Sequence, residues 1–98
     1  MAEATVKVRI PAPLRRLTDG RDEVEARGGT VGAVLADLSS RHAGLRERLL
    51  DEQGRLRRFV NLYVNEEDVR FLEELDTKLS GGEILTVVPA IAGGRPSP

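Results

Sequence analysis

Ile84-Leu85-Thr86-Val87-Val88 is β-branched and almost unbroken in its hydrophobicity. Such a run belongs to a strand inside a sheet, with both faces covered or with one face held for a partner. Working outward, Ser80-Gly81-Gly82-Glu83 before it reads as a turn. Pro89 after it cannot donate to a sheet ladder and is expected to release the chain. The inner strand needs neighbours. Thr5-Val6-Lys7-Val8-Arg9-Ile10 alternates polar and apolar residues, with Val6, Val8 and Ile10 on the inner face. Phe59-Val60-Asn61-Leu62-Tyr63-Val64-Asn65 alternates in the same way. The last strand is expected beside the first, in parallel.

The rest of the chain fills in around these strands. Pro11 and Pro13 end the first, and Leu14 to Asp19 leads to a turn at Asp19-Gly20. A short polar strand over Glu23 to Glu25 returns antiparallel across this wide loop. Gly28-Gly29 and Gly81-Gly82 read as turn chemistry. Thr30 suits a helix N-cap, and Val31, Val34, Leu35 and Leu38 follow at helical spacing, predicting a helix from Val31 to about Arg41. Leu45 to Leu50 makes a further helical piece, and Asp51 to Arg58 a charged loop. Asn65 starts a turn, Val69-Arg70-Phe71 reads as a short return strand, and Leu72, Leu75 and Leu79 pack over the end of the core. Strands on both sides of one main helix imply an α+β roll with a mixed sheet of four to five strands.

Composition narrows the function classes. Ninety-eight residues suit one domain, expected over 1–89, with a separate tail over 90–98. The formal net charge of −1, with both signs interspersed, gives no strong field for nucleic acid or anionic lipid. The absence of cysteine excludes disulfides, thiol catalysis and cysteine–metal sites. No apolar run approaches the roughly 18 residues that span a bilayer. Met1-Ala2-Glu3-Ala4 lacks the regions of a signal peptide, so a cytoplasmic protein is expected.

After Pro89 the chain changes character. Ala90-Ile91-Ala92-Gly93-Gly94 is uncharged with shrinking side chains, a thin arm reaching about 17 Å when extended. Together with Arg58-Phe59-Val60-Asn61-Leu62-Tyr63-Val64-Asn65-Glu66-Glu67-Asp68-Val69-Arg70-Phe71, the opening strand and Thr30-Val31-Gly32, this ending resembles the ThiS/MoaD family of sulfur carriers. The branch it is most similar to is the actinobacterial one that serves cysteine synthesis. The resemblance runs nearly the whole chain through Gly94. It implies a ubiquitin-like β-grasp fold with a flexible C-terminal tail, and a chain that is a protein co-substrate rather than an enzyme. It further implies that an E1-like activating enzyme uses ATP to adenylate the Gly94 carboxylate. A sulfur source then makes the thiocarboxylate, and an acceptor synthase uses that sulfur for cysteine, thiamin, molybdopterin or a natural product. No cofactor is expected to stay bound, and ATP belongs to the activating partner.

The residue types suit that chemistry independently. A carboxylate is a poor electrophile, and a mixed anhydride with AMP supplies a leaving group by a step that is mostly positioning. Gly93 and Gly94 carry no Cβ, so the backbone can approach a nucleotide closely. Arg95-Pro96-Ser97-Pro98, however, follows Gly94 and ties its carbonyl into an amide. Removal of these four residues by a processing metalloprotease is the expected remedy. A ubiquitin-like modifier conjugated through Gly94 would start from the same adenylate, and an interaction module with an inert tail is the third reading.

If Val8, Leu62, Leu85 and Val87 face the helix, then Lys7, Arg9, Asn61, Tyr63, Thr86 and Val88 face away. This outer face is the candidate docking surface, with Tyr63 as an anchor of the type enriched in interfaces. His42 lies near a helix end, Arg55, Arg57 and Arg58 read as a solvated loop, and Glu66, Glu67 and Asp68 as an exposed acidic turn. With one histidine and no cysteine there is no ligand set for structural zinc. No Ser, His and Asp grouping can be argued, and a monomer is the expected state.

Overall fold

The computed structural model describes residues 4–89. The chain runs β1 (Thr5–Arg9), a 3₁₀ segment (Ala12–Thr18), β2 (Glu23–Arg27), α1 (Val31–Arg41), α2 (Leu45–Leu49), β3 (Val60–Val64), β4 (Glu67–Asp68), two further 3₁₀ turns and β5 (Ile84–Pro89). The five strands form one sheet in the order β2-β1-β5-β3-β4, so the apolar run lies at its centre. β5 is parallel to β1, with Val8 opposite Leu85, and antiparallel to β3, with Leu62 opposite Val87.

Alternation puts every second strand residue under the helix. Val6, Val8, Leu62, Leu85 and Val87 are buried on that face against Val31, Val34, Leu35 and Leu38 of α1, and Leu45 and Leu49 of α2 close one end. α1 has the bounds its spacing predicts, and the Thr30 hydroxyl accepts the Ala33 N–H at 3.2 Å. The apolar run of β5 is covered on one face only: Ile84 and Thr86 are half-buried and Val88 is exposed. No helix among the described residues is long and apolar enough to cross a membrane.

The structure corrects the sequence reading at four places. β2 continues two residues further, to Arg27, because Val24 and Ala26 both bury under α1. The return strand is Glu67–Asp68, not Val69–Phe71. There the Asp68 carboxylate accepts the Arg70 N–H at 2.8 Å and turns the chain into a 3₁₀ turn that buries Val69. Pro89 stays in the sheet opposite Val60, which it can do because β1 pairs with β5 only as far as Thr86, leaving no ladder on that side to interrupt. Gly28 is held by close packing rather than turn chemistry: a Cβ there would lie 2.5 Å from the Val34 nitrogen.

The β2 edge is closed by side chains of α1. Asp37 accepts the Arg27 N–H at 2.9 Å, Arg41 donates to the Glu25 carbonyl, and the two side chains pair at 3.0 Å. These are backbone groups that an edge strand otherwise offers to another chain.

The turn before β5 is tied by Glu83. Partial burial pushes its carboxyl up, but the Ser80 and Gly81 amides and the Ser80 hydroxyl outweigh burial and hold it below the ordinary value of 4.5. A group with a depressed folded pKa contributes stability above its unfolded pKa and loses it as pH falls through the folded one. The stability gap between wild type and Glu83→Gln is therefore expected to be flat near neutrality and to shrink as pH falls below 4.5, read by denaturant melts at a series of pH values.

Candidate functional site

The predicted outer-face residues do share one face. Register sets Arg9 beside Thr86, Thr86 beside Tyr63, and Asn61 beside Val88, with Lys7 next to Ile84. Asn61, Tyr63 and Thr86 are half-buried among their neighbours, while Lys7, Arg9 and Val88 are exposed. Arg9 also reaches Glu23 at 3.8 Å, so the β1–β2 side of the face is charged and the β5–β3 side is less polar.

Ala90 to Pro98, including Gly93, Gly94 and the extension Arg95-Pro96-Ser97-Pro98, lie outside the described residues. The last described residues, Val88 and Pro89, mark where the chain passes into that stretch. The large apolar side chains exposed among the described residues are Val88, Phe59 and Phe71, and each connects to that point along the chain or through paired neighbours. Val88 (40% exposed) pairs with Asn61, and Phe59 (60%) adjoins Val60, the partner of Pro89. Phe71 (87%) follows Arg70, which hydrogen-bonds to Val60 and Asn61. Exposed apolar side chains gathered in this way mark interaction surfaces.

Sequence reasoning missed Phe59, Phe71 and Arg70. The signal was available: the chain's two phenylalanines each follow an arginine, in Arg58-Phe59 and Arg70-Phe71, where a charged neighbour argues against burial. The loop arginines are only partly the solvated group expected. The Arg57 guanidinium donates to the Glu47 carbonyl at 2.7 Å and Arg70 bonds to the Arg57 carbonyl at 3.3 Å, so Arg57 helps hold the loop. Asn65 adopts φ 58°, donates its N–H to the Ile84 carbonyl at 2.7 Å and accepts the Ile84 N–H on its side chain at 3.1 Å, which explains an asparagine at this turn.

His42 caps α1 through its backbone N–H to Leu38 and lines an open cleft of ≈ 630 Å³ beside β2. Lys7, Arg21 and Arg41 face Asp19, Glu23 and Glu25 across that cleft, so it offers no field of one sign. Among the described residues no three His, Cys, Asp or Glu side chains come together as a metal site.

A mixed sheet with its last strand parallel to its first, wrapped around one helix, is the β-grasp architecture of ubiquitin-like proteins. The sequence profile of the ThiS family matches residues 8–94, and the chain belongs to that family. It is similar to the sulfur carrier protein CysO of Mycobacterium tuberculosis, with 50% identity over 91 residues covering 91% of this chain and 98% of that protein. A crystal structure of the Amycolatopsis orientalis BexX/CysO complex contains a chain that matches with a TM-score of 0.85 and 49% identity, over 91% of this chain and 99% of that one. The small archaeal modifier protein 1 of Methanosarcina acetivorans matches with a TM-score of 0.82 and 29% identity, over 96% and 100%. Proteins of the ThiS and CysO type are small carriers, not catalysts.

Proposed function

We propose that the chain carries sulfur as a thiocarboxylate on Gly94. One observation carries this reading above the rest: the family match ends at Gly94, four residues short of Pro98. In this scheme a processing metalloprotease removes Arg95 to Pro98 and frees the Gly94 carboxylate. An E1-like enzyme then joins that carboxylate to AMP from ATP, releasing pyrophosphate. A sulfur donor displaces AMP, and the C–S bond formed is the thiocarboxylate. The thiocarboxylate sulfur bonds to the acceptor synthase's substrate, and water then cleaves the acyl–sulfur bond, leaving the sulfur on the product and Gly94 as a carboxylate. The CysO relative crystallised with BexX supports a partner protein that engages a carrier of this kind. Gly93 and Gly94 let the backbone pass a narrow slot, while the outer face and the apolar side chains near Pro89 hold the body against the enzyme.

The test is mass spectrometry of the chain incubated with lysate of its source, then with ATP, its E1-like enzyme and sulfide. A species ending at Gly94 that exchanges one oxygen for sulfur is expected. No such species, under conditions where the enzyme activates another carrier, sinks the proposal. The match to a small archaeal modifier protein supports a second reading, conjugation of Gly94 to lysines. A ladder of covalent conjugates in place of oxygen-to-sulfur exchange would establish it.

The docking face has its own test. Val88 is exposed, so Val88→Arg is expected to leave the melting temperature unchanged and to raise the KM for activation about ten-fold, the cost of a central interface residue. Equal KM values would remove the face from the scheme.

A further inference from the structure

The place where the arm begins is supported from one side only. β1 pairs with β5 over Ile84 to Thr86 and no further. Val88 and Pro89 are therefore registered against β3 alone, through Asn61 and Val60. The far side of β3 is equally bare at this end, because β4 covers only Tyr63 and Val64. What meets Val60 and Asn61 there is Arg70. Its Nη2 donates to the Val60 carbonyl at 3.0 Å and the Arg57 carbonyl at 3.3 Å, and its Nη1 donates to Asn61 Oδ1 at 3.0 Å. Asp68 sets up the arginine by accepting its backbone N–H at 2.8 Å and lying 4.0 Å from Nη1. A planar fork is the side chain that can hold three acceptors at once; a lysine ammonium lacks that geometry.

We propose that Arg70 is a positioning residue for activation: it pins the start of β3 and, through it, fixes the direction in which the chain leaves Pro89 toward Gly94. This rests on the carrier reading above and adds a residue that touches neither ATP nor Gly94. The alternation beginning with the Asn65 N–H to Ile84 carbonyl bond makes Asn61 and Val88 a hydrogen-bonded pair. Without the fork, that pair frays and the arm leaves the sheet earlier and over a wider cone. The body still docks, but the carboxylate meets ATP in the reactive geometry less often. Misplacement of a reacting group lowers the rate of the step rather than the affinity of the complex.

The experiment uses Arg70→Ala and Arg70→Lys in the chain ending at Gly94, with wild type beside them. In Arg70→Ala the Val88 amide is expected to exchange at least about ten-fold faster while the Val8 and Leu85 amides keep wild-type rates, since opening is local. With the E1-like enzyme and ATP, kcat is expected to fall about ten-fold with KM within about two-fold, the reverse of Val88→Arg. Arg70→Lys is expected to fall between alanine and wild type in both measurements. Unchanged Val88 exchange, faster exchange at Val8 and Leu85 as well, or faster Val88 exchange with wild-type kcat would each overturn the proposal. Failure of the wild-type chain to take up AMP would instead sink the carrier reading, and the Val88 exchange rate would still decide whether Arg70 pins this end of the sheet.

Discussion

The 98-residue chain with Arg95-Pro96-Ser97-Pro98 in place is expected to take up no AMP from ATP and its E1-like enzyme, whereas the same chain cut after Gly94 is expected to be adenylated to completion. Adenylation needs a carboxylate oxygen as the nucleophile toward the α-phosphorus. In the longer chain the Gly94 carbonyl belongs to an amide, whose oxygen is a far weaker nucleophile and whose nitrogen cannot leave. The carboxylate of the longer chain sits on Pro98, about 14 Å further along when extended, and the rings of Pro96 and Pro98 would not pass the narrow slot proposed for Gly93 and Gly94. Intact-mass spectrometry of both chains after reaction reads the result directly. AMP on the longer chain would show that Gly94 is not the reacting residue.

Gly28→Ala is expected to cost about 1–3 kcal/mol in folding stability, while Gly29→Ala next to it is expected to be nearly neutral. A Cβ on Gly28 would stand 2.5 Å from the Val34 nitrogen and 2.8 Å from the Ala33 carbonyl carbon. Both are backbone atoms of the first turn of α1, so relief requires the helix to move off β2. The Gly28 N–H is also committed to the Ala4 carbonyl at 2.9 Å, which prevents the strand end from moving instead. A Cβ on Gly29 meets nothing within 4 Å. Urea melts of the two variants give the comparison. Equal losses would mean that the pair acts through backbone freedom, as the sequence alone suggested.

That pair shows what a sequence displays and what it hides. The order of elements, the bounds of α1, the Thr30 cap and the parallel placement of β5 beside β1 were legible, because each follows from periodicity within a dozen residues or from the one apolar run that needs neighbours on both sides. The reason for Gly28 was not, since it depends on how near α1 comes to β2. The return strand was misplaced by two residues because Val69 is apolar in either structure; what decides is the Asp68 carboxylate catching the Arg70 N–H. Pro89 reads as a strand breaker until it is known that no ladder runs on its β1 side. The outer face was legible from alternation alone. Arg70 was not, because its three acceptors lie 9 to 13 positions upstream and meet only once β3 and β4 have paired.

The Asp37–Arg41 clasp over β2 has a bearing on how other molecules can approach. A linear peptide seeking to join the sheet at β2 would first have to unseat two charge-assisted hydrogen bonds, at Arg27 and at Glu25, before gaining one of its own. Sideways growth of the sheet is thus disfavoured on that flank, both for foreign peptides and for copies of the chain meeting edge to edge. The proposed docking face lies elsewhere, on the broad surface away from the helix, where Val88 is exposed on β5. On the carrier reading proposed above, partners that all dock on this one face compete for it and bind in turn.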